Sequence, residues 1–150
     1  MTDDREGALE ALRDQLSELL AAQRRLRGRD AGQRRDGLSF PQYRLLRELA
    51  RAPGGELPAS QLAAAAELSP PTVTQMLDQL AACGIVERTR SERDRRVVTN
   101  RLTAEGRRRL AAKDELHAQK WRETFALLDR DELLAGAAVL ERLSSLYDDL

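Results

Sequence analysis

Residues 69–88 read SPPTVTQMLDQLAACGIVER, and residues 94–106 read DRRVVTNRLTAEG. The first stretch places a serine before two prolines and then spaces its apolar residues three and four apart, which predicts a helix capped by Ser69 and ended at Gly84. The second stretch predicts a strand that leads into a helix capped by Thr103. Together they predict a helix, a β-hairpin and a further helix in that order.

The segments around these stretches complete a helix-turn-helix pattern. A short helix is predicted just before the first stretch, at residues 59–68, after an extended segment around residues 56–58. Strand-forming residues at 85–90 and 96–102 flank a charged tip, which indicates a hairpin with an exposed basic turn. Two helices joined by about four residues cross steeply, and the second presents its first turns to a DNA major groove. The fold class predicted is mainly α with a small β-hairpin wing, that is, a winged helix-turn-helix.

The outward positions of the second helix carry side chains suited to DNA. Hydroxyls reach phosphates, a threonine methyl can touch thymine, and a glutamine can bond the N6 and N7 atoms of adenine. We predict that the DNA-contacting residues of this helix are Ser69, Pro71, Thr72, Thr74, Gln75 and Gln79.

These motifs resemble the winged-helix domain of the MarR family of transcriptional regulators. Residues 69–88 resemble its recognition helix and first wing strand, and the Asp-x-Arg and Leu-Thr-x-x-Gly patterns within residues 94–106 resemble its wing signature. The resemblance implies that the hairpin tip enters the DNA minor groove, where narrow A/T-rich sequence favours an inserted arginine. The tip residues to which it assigns DNA contacts are Arg93, Asp94, Arg95 and Arg96.

Within that tip the resemblance gives Asp94 a separate role from the arginines. Arg96, with Arg95, would enter the groove, and Asp94 would orient the guanidinium of Arg96 through a bidentate pair. The alternative is that Asp94 is an ordinary turn residue, because aspartate is common in turns.

Charge is distributed unevenly along a chain whose net charge is zero. Residues 88–109 contain nine arginines and three acids, a net charge of +6, whereas residues 56–87 contain four acids and neither lysine nor arginine. MarR-like proteins often carry a basic residue where Gln75 stands. Phosphate contacts must then come from the wing and from Arg44, Arg47 and Arg51, and we expect weak non-specific DNA binding.

The remaining chain is predicted to form flanking helices within a single domain spanning residues 1–150. The winged-helix lobe would cover about residues 38–109, and dimerisation helices about 4–27 and 110–150. Leucine stripes in both flanks lack a partner inside so small a lobe, so pairing two protomers would bury them and space the recognition helices about 34 Å apart. The alternative is that the stripes fold back onto their own chain. The predicted interface residues are Leu9, Leu12, Leu16, Leu140, Leu143 and Tyr147.

The MarR resemblance further implies a small-molecule pocket between the dimerisation helices and the lobe. An aromatic or apolar effector would suit aromatic liners with a few polar groups, although core packing explains each residue equally well. The candidate liners are Phe40, Tyr43, His117, Trp121 and Phe125.

The sequence lacks the residue sets that metal sites, catalytic sites and membrane segments need. One histidine and one cysteine do not make a zinc site, so neither a metal nor a cofactor is expected. Catalytic nucleophiles have no second histidine to serve them, and Cys83 is predicted to lie on an apolar side and to be inert. With no apolar run of about 18 residues and no signal peptide, a cytoplasmic protein without a membrane partner is expected. The predicted function is a dimeric repressor of a pseudo-palindromic operator, released by an effector; the alternative is a winged-helix protein that acts through protein or ligand binding.

Overall fold

The computed structural model of the chain describes residues 2–29, 37–90 and 97–148, with residues 2, 3 and 27–29 described by their backbone alone. By contacts the chain divides into two compact units, Met1–Lys113 and Asp114–Leu150. In chain order the elements are α1 (Thr2–Arg29), α2 (Phe40–Arg51), a 3-10 turn (Pro53–Gly55), β1 (Glu56–Pro58), α3 (Ala59–Ala66), α4 (Pro70–Ala82), β2 (Val86–Arg90), β3 (Val98–Leu102), α5 (Ala104–Thr124) and α6 (Arg130–Asp148).

The predicted fold class is confirmed, and the wing contains one strand more than the predicted hairpin. The three strands form an antiparallel sheet in the order β1-β3-β2. Glu56 lies opposite Arg101 and Pro58 opposite Thr99, so the segment predicted only as extended pairs with the wing. Because β1 lies at an edge of the sheet, Pro58 is tolerated although it lacks an N–H group.

Several element bounds differ from those predicted. The three glycines in residues 28–37 predict a loop there, but helix α1 includes residues 28 and 29. The helix that Thr103 caps is predicted to run to about residue 128, and α5 ends at residue 124. Helix α3 ends two residues early because Glu67 takes a left-handed conformation with φ of 53°, which ends a helix. The rest of the predicted loop (residues 30–36) and the wing tip (residues 91–96) lie outside the described part of the chain.

Local capping explains where α2 begins. Ser39 Oγ accepts a hydrogen bond from Gln42 N at 3.3 Å, and Gln42 Oε1 accepts one from Ser39 N at 3.0 Å. This reciprocal pair is a capping box, in which two donors of the first helical turn are satisfied together. Pro41 in the same turn has no N–H group and therefore needs no acceptor.

The core of the first unit consists mainly of leucine, alanine and valine side chains from α2, α3 and α4, joined by Tyr43 and by apolar residues from the strands and the start of α5. The apolar spacing predicts that α3 and α4 are buried through Leu62, Ala63, Ala66, Val73, Met76, Leu77 and Leu80, and all of these are buried except Met76, which is half-buried. On α2 the spacing predicts a buried face of Tyr43, Leu46, Leu49 and Ala50. The first three are buried and Ala50 is exposed, because the buried face centres on Leu45, Leu46 and Leu49. A single apolar face on each short helix therefore suffices to fix the lobe.

The Leu-Thr-x-x-Gly motif joins the start of α5 to the strand β2. Thr103 Oγ1 accepts a hydrogen bond from Gly106 N at 3.0 Å and donates to Gly84 O at 2.6 Å. Thr103 N donates to Ile85 O at 3.1 Å. A Cβ at Gly106 would lie 2.1 Å from Ile85 O, so only glycine allows this approach of helix to strand.

In the second unit, Asp129 caps α6. Asp129 Oδ1 accepts hydrogen bonds from Asp131 N and Glu132 N, both at 2.9 Å, and Glu132 Oε2 accepts one from Asp129 N at 2.8 Å. The sequence predicts that either Asp129 or Asp131 begins this helix, and these hydrogen bonds identify Asp129 as the cap. Every described residue of α6 except Leu143 is exposed in the single chain.

Candidate DNA-binding surface

Helix α4 follows α3 after a three-residue connection and presents a polar face to solvent. Ser69 caps it, because Ser69 Oγ accepts a hydrogen bond from Thr72 N at 3.3 Å and lies 2.6 Å from Thr72 Oγ1. Thr74 Oγ1 donates to Pro70 O at 3.0 Å, which holds that hydroxyl against the helix. Of the six predicted contact residues on α4, Thr72 is half-buried and the exposed ones are Ser69, Pro71, Thr74, Gln75 and Gln79.

Gln42, which was not among the predicted site residues, links α2 to this helix by a hydrogen bond. Gln42, on α2, is buried with 6% of its surface exposed, and its Nε2 donates to Gln79 Oε1 at 3.3 Å. The spacing of Ser39 and Gln42 was a visible signal for a capping box. The partner on α4 was not visible, because it lies 37 residues further along the chain.

The one acid on α4 is paired. Asp78 Oδ1 lies 2.7 Å from Arg88 Nη2, on strand β2, and both side chains are partly exposed. This ion pair reduces the negative charge that the helix presents. It also occupies Arg88, an arginine of the first wing strand. Its contribution to folding is small, since exposed pairs of this kind are worth about 0–1 kcal/mol.

Replacing Asp78 with asparagine is expected to tighten DNA binding by about three- to tenfold at low salt. The change removes a charge that repels phosphate and releases Arg88 for a phosphate contact, which steepens the salt dependence of affinity by about one counterion. Dissociation constants across a salt series measure both effects. Asp148→Asn, an equal charge change on exposed α6, should leave affinity within about twofold, and an Asp78→Asn variant that binds no tighter than this control would contradict the assignment.

The three arginines of α2 are engaged by nearby groups of the chain. On α2, Arg44 Nη2 donates to Ala66 O at 3.4 Å, and the Arg47 guanidinium lies 5.7 Å from the centre of the Tyr43 ring. Arg51 pairs with Glu48 at 3.2 Å. These arginines lie at the surface, but phosphate contacts from them would compete with the interactions that hold them now.

The arginines around β3 and α5 are also paired. Arg101 Nε donates to Glu87 Oε1 at 2.5 Å, and this hydrogen bond raises the pKa of Arg101 above its usual value. Arg109 and Arg108 both donate to Glu105, which lowers the pKa of that carboxyl. The net charge of +6 in residues 88–109 therefore includes several arginines that are neutralised locally. The contacts predicted for Arg93, Asp94, Arg95 and Arg96 fall on the wing tip, outside the described residues.

Four of the five predicted effector residues form two aromatic pairs, one in each unit. Phe40 and Tyr43 have ring centres 6.3 Å apart, and Tyr43 is buried in the core of the lobe. Trp121 and Phe125 have ring centres 5.2 Å apart, with Trp121 66% exposed, and His117 is half-buried. The structure thus places Tyr43 in core packing, the alternative that the sequence left open, whereas Trp121 is available to solvent.

A groove of about 860 Å³ lies elsewhere, beside the wing sheet. It is lined from β1 by Glu56 and Leu57, and from the wing strands by Thr89, Thr99 and Arg101. None of the five predicted effector residues lines it. Within the described ranges, no group of three potential metal ligands comes together and no helix is long and apolar enough to cross a membrane.

The predicted interface residues leave apolar surface on the single chain. Leu9 and Leu12 of α1 are each 38% exposed, and Leu140 and Tyr147 of α6 are more than half exposed. Leu16 and Leu143 are half-buried. Cys83, by contrast, was predicted on an apolar side and is exposed, because the C-terminal end of α4 lies at the surface.

Comparison with known proteins gives a family match over part of the chain and a set of similar folds. A model of the MarR family matches residues 36–97. No curated protein matches the chain. One similar solved structure is Streptococcus pneumoniae FabT in complex with DNA, with 26% sequence identity, coverage of 93% of this chain and 94% of that one, and a TM-score of 0.69. Another is a MarR family transcriptional regulator from Silicibacter pomeroyi, with 26% identity, coverage of 95% of this chain and 91% of that one, and a TM-score of 0.63. A third is Bordetella bronchiseptica BpsR, whose DNA binding is regulated by 6-hydroxynicotinic acid. It has 24% identity, coverage of 87% of this chain and 98% of that one, and a TM-score of 0.65.

Proposed function

We propose that the protein is a dimeric, sequence-specific DNA-binding regulator, because a model of the MarR family matches residues 36–97 and the chain has the fold of solved MarR family transcriptional regulators. The observation that carries the proposal is the exposed polar face of α4 behind a serine cap, in the position of a recognition helix. FabT, which shares the fold, is solved in complex with DNA.

In this proposal the recognition helix and the wing have different tasks. The helix lies in the major groove and reads base edges, and the wing tip reaches the adjacent minor groove with arginine. The proposed contacts are those that the sequence predicts: Ser69, Pro71, Thr72, Thr74, Gln75 and Gln79 on the helix, and Arg93, Asp94, Arg95 and Arg96 on the tip.

The exposed leucines of α1 and α6 support a homodimer. A second copy of the chain would cover apolar side chains such as Leu12, Leu140 and Tyr147, which a single chain leaves in water. A dimer with a twofold axis presents two recognition helices about one DNA turn apart, so the operator would be pseudo-palindromic.

We further propose a cytoplasmic repressor that a small aromatic or apolar effector releases from DNA. BpsR, which has the same fold, has its DNA binding regulated by 6-hydroxynicotinic acid. In this chain the exposed Trp121 forms an aromatic pair with the half-buried Phe125, and His117 lies one turn before Trp121. An effector acts by binding the DNA-incompetent state more tightly than the competent one.

The experiment that tests the proposal is a selection of bound duplexes from a random library. We expect enrichment of an inverted repeat with half-sites about 10 base pairs apart, bound by two protomers. Library members that remain random after repeated rounds, with the protein folded, would contradict sequence-specific binding.

A second candidate function rests on the charge of the helix-turn-helix. Residues 56–87 contain four acids and no basic residue, which suits a winged-helix protein that binds a protein or a ligand instead of DNA. The salt dependence of DNA binding separates the two candidates. A steep fall in affinity with salt reports released counterions and favours the regulator, whereas absent or salt-insensitive binding favours the second candidate.

A further inference from the structure

Two hydrogen bonds fix the orientation of the Gln42 side-chain amide. Its Oε1 accepts from Ser39 N at 3.0 Å, and its Nε2 donates to Gln79 Oε1 at 3.3 Å. Because a backbone N–H can only donate, the amide atom that faces Ser39 must be the oxygen. The amino group of Gln42 must then face α4, and with 6% of the residue exposed the arrangement is largely shielded from water.

The orientation of Gln42 dictates the orientation of Gln79. An amino group can only donate, so the end of the Gln79 amide that faces Gln42 must be its oxygen. The amino group of Gln79 is then the end that no described residue engages, at an exposed position one turn beyond Gln75. A glutamine bonds adenine in a bidentate manner only when it offers both an acceptor and a donor to the base. The oxygen of Gln79 is turned towards Gln42, so the end that Gln79 presents outward is its amino group.

We propose that Gln42 is a positioning residue that sets the base preference of Gln79 on DNA. Gln42 does not touch the DNA; it turns the amino group of Gln79 towards base-edge acceptors, which are O6 and N7 of guanine, O4 of thymine and N7 of adenine. Adenine keeps that one acceptor, but its own amino group loses the glutamine oxygen that a bidentate contact needs, and the amino group of cytosine meets a second donor. This inference rests on the proposed function, because it assumes that α4 lies in a major groove.

Gln42→Glu is the variant that reverses the arrangement. A carboxylate is an acceptor at both ends, so one oxygen keeps the hydrogen bond from Ser39 N while the other faces Gln79. The Gln79 amide must then turn to donate inward, which presents its oxygen to the DNA. The preferred bases become those with an outward amino group, adenine through N6 and cytosine through N4.

The experiment measures dissociation constants for duplexes that vary one base pair at a time within the selected site. For the wild type we expect guanine or thymine to be favoured by about tenfold at one position of each half-site. Gln79→Met should lose this preference, and Gln42→Glu should transfer it to adenine or cytosine, with the other positions unchanged. A folded Gln42→Glu protein with the wild-type preference at every position, or a Gln79→Met protein that keeps that preference, would overturn the proposal.

Three further variants guard against a change of stability or charge alone. Gln79→Glu leaves the buried position intact and also presents an acceptor outward, so it should shift the preference in the same direction even where Gln42→Glu does not fold. Gln61→Glu adds the same charge at an exposed site on α3 and should weaken all duplexes equally. Ser39→Ala should lower the melting temperature through the lost cap while keeping the base preference. A preference that shifts in Gln61→Glu or Ser39→Ala would also overturn the proposal.

The orientation itself can be tested on the free protein. In nuclear magnetic resonance spectra, the side-chain amino protons of Gln42 should exchange slowly with solvent, and those of Gln79 should exchange fast. A wild type that binds every duplex alike would defeat the proposed function, and this exchange pattern would still decide the orientation. Slow exchange at Gln79 with fast exchange at Gln42 would overturn it.

Discussion

Gly106→Ala is expected to lower the free energy of unfolding by about 3 kcal/mol. The added Cβ would lie 2.1 Å from Ile85 O and 3.2 Å from the Leu102 side chain, and a backbone carbonyl cannot move aside as a flexible side chain can. Alanine favours a helix over glycine by up to about 1 kcal/mol, which is too little to offset this clash. The joint through Thr103 must therefore open or α5 must shift.

Thermal and chemical unfolding measure this effect. A loss of this size corresponds to a fall in melting temperature of roughly 6–12 °C for a chain of this length. Gly136→Ala is the matched control, because Gly136 lies in α6 with no atom within 4 Å of the added Cβ. The control should be neutral or more stable by up to about 1 kcal/mol, and a Gly106→Ala protein as stable as the control would disprove the close approach.

Arg96→Ala is expected to reduce operator affinity at least about tenfold. The MarR resemblance assigns this arginine to the minor groove, where the loss of an inserted guanidinium removes both a charge and a shape-dependent contact. Affinity for a control duplex of equal length and scrambled sequence should fall less, since only the phosphate contribution is lost there. Binding titrations on both duplexes give the two ratios.

The matched control for this prediction is Arg130→Ala. Arg130 is an exposed arginine at the start of α6, so its replacement changes the net charge equally and should alter affinity by less than about twofold. Near-normal operator binding by Arg96→Ala, or an equal loss in the control, would refute the wing assignment.

Local signals in the sequence predicted most of the lobe. Helix caps at Ser39, Ser69 and Thr103 involve residues three apart, so spacing alone reveals them. The apolar period on α3 and α4 identified their buried faces for the same reason. The Leu-Thr-x-x-Gly pattern was visible as a family motif, but its physical reason was not, because it depends on where Ile85 O lies relative to Gly106.

Contacts between distant parts of the chain could not be predicted. The pairing of β1 with β3 joins residues about 40 apart, and three residues carry too little pattern to reveal a strand partner. The ion pair of Asp78 with Arg88 and the amide pair of Gln42 with Gln79 likewise depend on how helices pack. Exposure of Cys83 is a tertiary fact of the same kind, whereas burial of Tyr43 follows from the apolar spacing of α2.

The measurement that tests the central claim most directly is a titration of the purified protein against DNA from its own upstream region, with a scrambled duplex of equal length as the control. If the protein is a sequence-specific regulator, we expect at least about a thousandfold tighter binding to the upstream DNA at physiological salt. Equal and weak binding to both duplexes would contradict the claim, and it would favour a winged-helix protein that acts through protein or ligand binding.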